Sequence, residues 1–377
     1  MRNFLLLISI ISSLCSCRWM NPSKTSAIEI LGPIPSSENA ALVWKKYHDN
    51  IPLDKYLKEG IQDQCRPRVF PSKTEKTKGV MLLLHGYSAC PQQYFEWAER
   101  LSAESWEVVI PLHPGHGYTQ LAGQDNTKYL PNTQNYKEVY GGFVDQMNEL
   151  MEAYPKDIPK NVAGLSLGGA MATYALSEAP DLYDEAVIMT PAFEYSNWKA
   201  RYVSRILFSL RNWSWVTSSD KYKELMESYQ GWGEPCEKER ELGRSGICDF
   251  LAKHAIAMNE FGKEAARKVN KAIQTKTQFV IVEDDAAVKN SEILKVFKRF
   301  NSRKNGREKT SICAMPKTAN HSLLSRFDNP DLEKWWLDRL LAQLDSFVNE
   351  GFFIPTSQKI LYDGVSSCVT ANDTLRK

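Results

Sequence analysis

The most constraining feature of this 377-residue chain is the pentapeptide G-L-S-L-G at residues 164–168. It follows an apolar pair and leads into a segment rich in glycine and alanine, so we expect a short strand, a sharp turn and a helix in succession. A serine on such a turn is strained, and the residues two positions before and after it must be small. The turn holds the Ser166 hydroxyl above the sheet edge, where the helix dipole favours negative charge. The alternative is a glycine-rich turn whose serine has no chemical role.

Four other segments predict buried parallel strands. Residues 79–84 and 106–112 are apolar without alternation, which is typical of a sheet covered on both faces, and the helix-like residues 92–105 separate them. Two more short apolar segments follow the serine, at residues 186–190 and 278–282. Strands that alternate with helices indicate an α/β fold with a mostly parallel sheet.

Five motifs between residues 79 and 345 carry a resemblance to a known family. They are His85-Gly86-Tyr87, Pro114-Gly115-His116-Gly117, the pentapeptide around Ser166, Asp285 followed by Val288, and His321. With these motifs, in this order, the chain resembles the α/β-hydrolase superfamily, in particular its monoacylglycerol-lipase-like and carboxylesterase-like branch. The resemblance implies an α/β-hydrolase fold, with a mostly parallel central sheet flanked by helices and a helical cap inserted between sheet strands.

The resemblance also implies a catalytic triad in the chain order serine, acid, histidine. Ser166 is the expected nucleophile, and only His254 and His321 follow it among the histidines. His254 lies in a polar, helix-like stretch with no strand end beside it. His321 follows a strand-like segment and a loop, so it is the expected base, and a loop histidine bonded to backbone is the alternative.

The acid of the triad is expected at Asp285. In the family the acid is commonly followed three positions later by an apolar residue, and Val288 fits that rule. Asp284 is the alternative, because Val282 and Glu283 stand where the family tends to have a glycine, which allows a register shifted by one residue.

The resemblance places the oxyanion hole at two backbone N–H groups, those of Tyr87 and Leu167. His85, His113 and His116 are expected to buttress the nearby loops rather than to take part in the chemistry. The sequence contains no metal-ligand spacing, phosphate-binding loop or dinucleotide fingerprint, so no metal and no cofactor are expected.

The first 17 residues predict an export signal rather than part of the fold. Arg2 forms a short basic region, and residues 4–14 are apolar but too few to span a bilayer. The sequence Leu14-Cys15-Ser16-Cys17 resembles the bacterial lipobox, which implies lipidation of Cys17. We therefore expect a lipid anchor in the bacterial cell envelope. The residue after the anchor is Arg18 and not the aspartate that retains many such proteins in the inner membrane, so the outer membrane is favoured. A secreted or periplasmic protein with an ordinary signal peptide is the alternative.

The rest of the chain is expected to form one α/β domain with an insertion. Residues 18–38 predict a tether, residues 39–192 and 274–351 the core, residues 193–273 the cap, and residues 352–377 a C-terminal extension. The net charge of +2 provides no basic field for nucleic acid. The expected partners are therefore a small-molecule or lipid ester and the membrane at the anchor, and the sequence does not set an oligomeric state.

The aromatic residues of the predicted cap and the cysteines leave alternatives open. Aromatic residues such as Trp213 and Trp215 predict either a lid that receives an acyl chain or the core of a small helical subdomain. An even number of cysteines in an exported chain permits disulfides without selecting the pairs. These cysteines are Cys65, Cys90, Cys236, Cys248, Cys313 and Cys368.

The predicted activity is hydrolysis of carboxylic esters with lipid-like or medium-chain acyl groups, through a Ser-Asp-His acyl-enzyme mechanism. A serine peptidase, amidase or thioesterase on the same fold is an alternative, because no local motif separates these substrates. A non-catalytic binding protein is a third alternative. The chain retains a candidate for each member of the triad, which argues against it.

Overall fold

The apolar segments of the sequence form strands of one seven-stranded sheet in a computed structural model of the chain. The model describes residues 32–51, 63–117, 126–231, 238, 241–247, 249–303, 306–328, 332–351 and 360–368. The strands are β1 (Arg68–Phe70), β2 (Gly79–Leu84), β3 (Trp106–Ile110), β4 (Lys160–Leu165), β5 (Glu185–Met189), β6 (Tyr229–Gly231), β7 (Asp249–Leu251), β8 (Lys276–Val282), β9 (Thr310–Met315), β10 (Ile360–Tyr362) and β11 (Val365–Ser366).

The order of strands in the large sheet is β1-β3-β2-β4-β5-β8-β9. Only β1 runs antiparallel to its neighbour, and the other pairs are parallel. The pairs β6–β7 and β10–β11 form separate antiparallel hairpins. The predicted mostly parallel α/β sheet is therefore confirmed.

The helices that flank the sheet explain why its strands are apolar on both sides. In β2, Val80, Leu82 and Leu84 belong to the core on one face of the sheet, whereas Met81 and Leu83 belong to the core on the other face. Successive side chains of a strand point to opposite faces, so both faces are buried.

The α-helices of the described residues are α1 (Glu38–Asn50), α2 (Phe95–Ala103), α3 (Tyr136–Glu152), α4 (Leu167–Glu178), α5 (Trp198–Leu210), α6 (Ser214–Thr217), α7 (Asp220–Met226), α8 (Ala252–Lys268), α9 (Asn290–Asn301), α10 (Gly306–Lys309) and α11 (Leu337–Glu350).

The segment between β5 and β8 corresponds to the predicted cap. It contains α5, α6 and α7, which share a small apolar core with α8 around Leu207, Tyr222 and Ile256. Helix α8 also belongs to the main core, because Phe261 packs against Tyr140 of α3 and Tyr174 of α4. The cap boundaries stay a prediction, with α8 joining the cap helices to the sheet layer.

The two ends of the domain are attached to the sheet. Residues 36–38, the last three of the predicted tether, include Ser36, whose backbone N–H donates to the Glu107 carboxylate. At the other end, a disulfide joins Cys313 of edge strand β9 to Cys368, which follows β11. None of the described helices is long and apolar enough to cross a bilayer, and residues 1–17 lie outside the described residues.

A second disulfide joins Cys65 to Cys90, just before the short 3₁₀ helix Pro91–Tyr94. Cys236 and Cys248 lie outside the described residues. The structure thus selects two pairs that the sequence left open.

Candidate active site

Ser166 lies on the turn between β4 and α4, where its backbone is strained. Its φ is 58° and its ψ is −116°, outside the regions that a side chain normally favours. Such a conformation costs roughly 1–3 kcal/mol and persists only where the surroundings impose it. Here the Ser166 N–H donates to the Met189 carbonyl at 3.0 Å, and the Ser166 carbonyl accepts from the Ala192 N–H at 2.9 Å.

The two glycines of the pentapeptide are required by close backbone approaches. A Cβ on Gly164 would lie 2.0 Å from the Gly168 oxygen, and a Cβ on Gly168 would lie 1.8 Å from the Leu84 oxygen. Both distances are far below van der Waals contact, so neither position accepts a larger residue without movement of the backbone. This is the steric reason for the small residues that the sequence predicted on either side of the serine.

His321 and Asp285 are joined by a hydrogen bond. His321 Nδ1 lies 2.8 Å from Asp285 Oδ2, and the side chain of Asp285 has no exposed surface. Asp285 Oδ1 accepts the backbone N–H groups of Ala287 at 2.8 Å and Val288 at 3.2 Å. The carboxylate is therefore held from behind by its own loop while its other oxygen faces the histidine.

The neighbouring Asp284 points elsewhere. Its side chain is 62% exposed, and its Oδ2 lies 3.5 Å from Lys317 Nζ. The structure therefore brings Asp285, and not the alternative Asp284, to His321.

The charges of this pair shift the pKa values of both groups in the expected directions. Burial raises the pKa of Asp285, but the adjacent His321 and two backbone N–H groups outweigh burial, so the pKa falls below its ordinary value. Burial lowers the pKa of His321, but the carboxylate of Asp285 and the charge of Asp328 outweigh it, so the pKa rises above its ordinary value. The histidine is thereby made a stronger base.

Ser166 and His321 line the same cavity, which has a volume of about 190 Å³. Gly86 and Tyr87, the residues of the predicted oxyanion loop, line it as well. Leu167 begins α4, and the first N–H groups of a helix have no acceptor within the helix. The structure thus places the predicted serine, histidine and oxyanion loop around one space.

Two of three neighbouring buried histidines bond to backbone oxygens of the predicted oxyanion loop. His85 Nδ1 bonds to the Gly86 oxygen at 2.8 Å, and His116 Nε2 bonds to the Tyr87 oxygen at 2.9 Å. The ring of His113 stacks on His85 at 3.7 Å between centroids. The C=O and N–H of a trans peptide point in opposite directions, so holding the Gly86 oxygen also fixes the direction of the Tyr87 N–H. These contacts match the structural role predicted for the three residues.

A buried polar network behind the oxyanion loop was not predicted from the sequence. Gln93 Oε1 accepts from the Gly86 N–H at 2.8 Å, while Gln93 Nε2 donates to the carboxylate of Asp328. Asp328 also lies 3.8 Å from Arg244 Nε, and Arg244 Nη2 lies 3.2 Å from Ser88 Oγ. No local motif marks this network, since Gln93 and Asp328 are 235 positions apart in the chain and Arg244 and Ser88 are 156 apart.

The other candidates lie away from this cavity. His254 is buried in α8 and its Nδ1 bonds to the Pro131 oxygen at 3.0 Å. Within the described part of the chain, no group of three or more His, Cys, Asp or Glu side chains is arranged to hold a metal ion.

A second cavity, lined by residues of the cap segment between positions 195 and 258, has a volume of about 470 Å³. It shares Tyr195, Phe250 and Met258 with the cavity at Ser166, so these three side chains border both spaces. Trp213 and Trp215 line neither cavity and are 52% and 71% exposed. Neither of the two roles expected for these tryptophans, acyl site or subdomain core, therefore applies to them.

Comparison with known proteins shows the family of the chain. The sequence profile of the family described as serine aminopeptidase, S33, matches residues 75–310, which is more than half of the chain. The chain belongs to this family. No curated protein sequence matches the chain.

Solved structures share the α/β-hydrolase fold. A monoglyceride lipase from Saccharomyces cerevisiae superposes with a TM-score of 0.54 at 15% identity, covering 75% of this chain and 91% of that one. A monoacylglycerol lipase from Paleococcus ferrophilus gives 0.51 at 14% identity, covering 75% and 97%. One of the metagenome-derived lipolytic enzymes LipS and LipT gives 0.52 at 13% identity, covering 77% and 100%. The fold that the motifs implied is thus confirmed.

Proposed function

We propose that this hydrolase cleaves carboxylic esters that carry an apolar acyl group, through an acyl-enzyme on Ser166. The observation that carries the proposal is the single cavity that contains Ser166 and His321, with Asp285 bonded behind the histidine and the larger apolar space of the cap adjoining it. Two of the structural neighbours are named monoglyceride or monoacylglycerol lipases, and a monoacylglycerol is the substrate type that we propose.

We assign each step of the proposed reaction to a residue that lines or adjoins the Ser166 cavity. His321 Nε2 takes the proton of the Ser166 hydroxyl as its oxygen attacks the ester carbon. The N–H groups of Tyr87 and Leu167 stabilise the resulting oxyanion. The tetrahedral intermediate collapses, His321 protonates the departing alcohol, and the acyl group stays on Ser166. Water, deprotonated by His321, then releases the carboxylic acid and restores the serine.

The lining of the two cavities favours an uncharged, apolar acyl chain. The cap cavity is formed mainly by aliphatic and aromatic side chains, among them Val203, Leu207 and Ile256. Its volume of about 470 Å³ falls within the ~300–1,000 Å³ usual for small-molecule sites. We propose that the acyl chain extends from Ser166 past Phe250 and Met258 into this space.

The test combines an active-site label with an ester series. Ser166→Ala is expected to abolish fluorophosphonate labelling and to lower kcat by about 10⁶-fold, as in comparable serine enzymes. Ser177→Ala is the matched control, because the hydroxyl of this buried α4 serine donates to the Thr173 carbonyl of the same helix. Nitrophenyl esters of increasing chain length should show rising kcat/KM up to medium chains. Retention of activity by Ser166→Ala would remove the assignment.

A peptidase or amidase activity is the second candidate, favoured by the name of the matched family. The acidic residues of the Ser166 cavity do not favour an aminopeptidase, which must bind a free ammonium group. Glu194 Oε2 lies 3.0 Å from Lys289 Nζ, and Asp328 is paired with Arg244. Aminoacyl nitroanilides, assayed beside the esters with the same preparation, separate the two activities.

We also propose that the protein is anchored in the bacterial envelope through a lipid on Cys17. The lipobox-like sequence supports this proposal, and the two disulfides fit an oxidising compartment. Cys17→Ser is expected to release the protein from the membrane fraction or to stall its processing. A wild-type mature N-terminus other than Cys17 would contradict the anchor without affecting the proposed catalysis.

A further inference from the structure

The exposed large hydrophobic side chains of the described residues are concentrated on the cap. Eleven such side chains are exposed, and seven of them lie within residues 198–226. We call these seven the cap surface: Trp198, Tyr202, Val203, Ile206, Trp213, Trp215 and Leu225. Soluble proteins rarely leave a contiguous apolar patch uncovered without a partner for it.

Helix α5 shows how this surface arises. Trp198, Tyr202 and Ile206 recur every four residues and therefore form one stripe along the helix, with exposed fractions of 64%, 63% and 40%. Ser204 and Leu207, on the other side of α5, are buried. The helix thus has two apolar faces, one toward the cap core and one toward solvent, so its folding does not account for the outer face.

The charge around the cap surface is positive. Residues 198–226 contain six Lys or Arg and two Asp or Glu, a net charge of +4, whereas the whole chain has +2. Lys199, Arg205, Lys221 and Lys223 are exposed beside the aromatic residues. Tryptophan and tyrosine next to basic side chains are typical of helices that lie at a lipid–water interface.

We propose that the cap surface docks onto an anionic lipid bilayer. Trp198, Trp213 and Trp215 insert their rings at the headgroup level, and the basic side chains pair with lipid phosphates. Basic residues are attracted to an anionic membrane surface, and the tryptophan rings add apolar burial. The proposed binding uses residues 198–226 and does not depend on lipidation of Cys17.

The position of the cap cavity supports a lipid partner over a protein partner. Val203 and Leu225 line that cavity and are also 49% and 44% exposed, so they lie at its opening on the cap surface. A bilayer that covers this opening is also the source from which an apolar molecule can enter the cavity. A protein partner at the same place would close the opening without providing an apolar molecule to the cavity.

The test measures where the chain contacts lipid. Full-length protein carrying Cys17→Ser is mixed with vesicles of phosphatidylcholine with or without roughly 30% phosphatidylglycerol, and hydrogen exchange of peptides from residues 198–226 is followed. Exchange there should slow at least about threefold on anionic vesicles at low salt and less at high salt, because charge screening weakens headgroup pairing.

Three variants on the same background locate the contact. Trp213→Ser/Trp215→Ser should abolish the protection, and Lys221→Glu/Lys223→Glu should reduce it, whereas Leu42→Ser, an exposed leucine of α1, should not change it. None of these residues lines either cavity, so each variant should hydrolyse a water-soluble acetate ester at the wild-type rate. This activity serves as the control that the variants are folded.

The proposal is overturned if no vesicle slows exchange in residues 198–226, or if Leu42→Ser reduces protection as much as the tryptophan variant. It is also overturned if the same peptides are protected without vesicles in a concentration-dependent manner, because a second copy of the chain would then cover the surface. The same measurements on Ser166→Ala separate lipid docking from catalysis, since docking should persist in the inactive variant.

Discussion

The adjacent residues Asp284 and Asp285 carry the same side chain in different surroundings. One is 62% exposed beside a lysine, and the other is fully buried against His321 with two backbone N–H donors behind it. A triad acid holds the imidazole in the tautomer that accepts the serine proton. Only the buried carboxylate has the contacts for that task.

Exchange of each carboxyl for an amide tests this difference. Asp285→Asn should lower kcat by about 10⁴-fold, because an amide can favour the wrong tautomer of His321. Asp284→Asn is the matched control and should change kcat by no more than about twofold, as expected for an exposed side chain. Steady-state hydrolysis of one nitrophenyl ester by both variants is sufficient. A dead Asp284→Asn with an active Asp285→Asn would transfer the acid to the other residue.

The pH dependence of the reaction should report the charge of Asp328. Burial lowers the pKa of His321, but Asp285 and Asp328 raise it to a net value above 6.5. Since His321 must be neutral to act as base, kcat/KM falls as the pH drops through this raised pKa. Asp328→Asn removes one raising charge, so the acidic limb of the kcat/KM profile should move to lower pH. Asp284→Asn should leave the limb in place, and a shift of Asp328→Asn to higher pH would contradict the assignment.

At the scale of elements, two adjacent glutamines of the 3₁₀ helix Pro91–Tyr94 bond to different parts of the chain. Gln93 bonds to Gly86 within the oxyanion loop, whereas Gln92 bonds outward to the cap segment, donating to the Gly243 oxygen at 3.1 Å and accepting from the Ser245 N–H at 3.0 Å. Both side chains are buried. The 3₁₀ helix that contains both residues is therefore bonded to the oxyanion loop through Gln93 and to the cap segment through Gln92.

Substitution of Gln93 or Gln92 by alanine tests these two connections separately. Gln93→Ala leaves the Gly86 N–H without its acceptor and loosens the Tyr87 N–H, so kcat should fall by about 10-fold to 10²-fold with little change in KM, because the oxyanion forms only in the transition state. Gln92→Ala should change kcat less, since its contacts lead to the cap. A loss that falls on kcat while KM stays unchanged in Gln93→Ala would support a positioning role for Gln93. Equal losses of kcat in both alanine variants would contradict it.

The elements that the sequence predicted are those specified by local pattern. The strand, turn and helix around Ser166 follow from five consecutive residues. Asp285 was marked by the spacing to Val288 that the family resemblance implies, and in the structure the Val288 N–H donates to that carboxylate. The support from Gln93 and Asp328 could not be predicted, because it depends on side chains brought together only by the folded loops. The exposure of Trp213 was equally hidden, since an aromatic residue in a helical segment has the same local pattern whether it faces a core or solvent.

At the scale of the whole molecule, two disulfides connect outlying segments to the domain at different distances from the chemistry. Cys313–Cys368 fastens the β10–β11 hairpin to edge strand β9, where the Cys368 N–H also donates to the Ala314 oxygen at 2.8 Å. This attachment covers part of an edge that would otherwise present unpaired backbone groups. In the other disulfide, Cys65–Cys90, Cys90 lies three residues after Tyr87 of the oxyanion loop.

Removal of each disulfide should therefore separate stability from activity. Cys313→Ala/Cys368→Ala is expected to lower the free energy of unfolding by about 2–4 kcal/mol, because the unfolded chain regains the entropy of the opened loop, with kcat for a short ester unchanged. Cys65→Ala/Cys90→Ala should lower both stability and kcat, since the chain next to the oxyanion loop loses its attachment to residues 63–65. Denaturant unfolding and ester hydrolysis are measured on the same preparations. A loss of kcat in the first variant that equals the loss in the second would show that the disulfide near Tyr87 has no special relation to the active site.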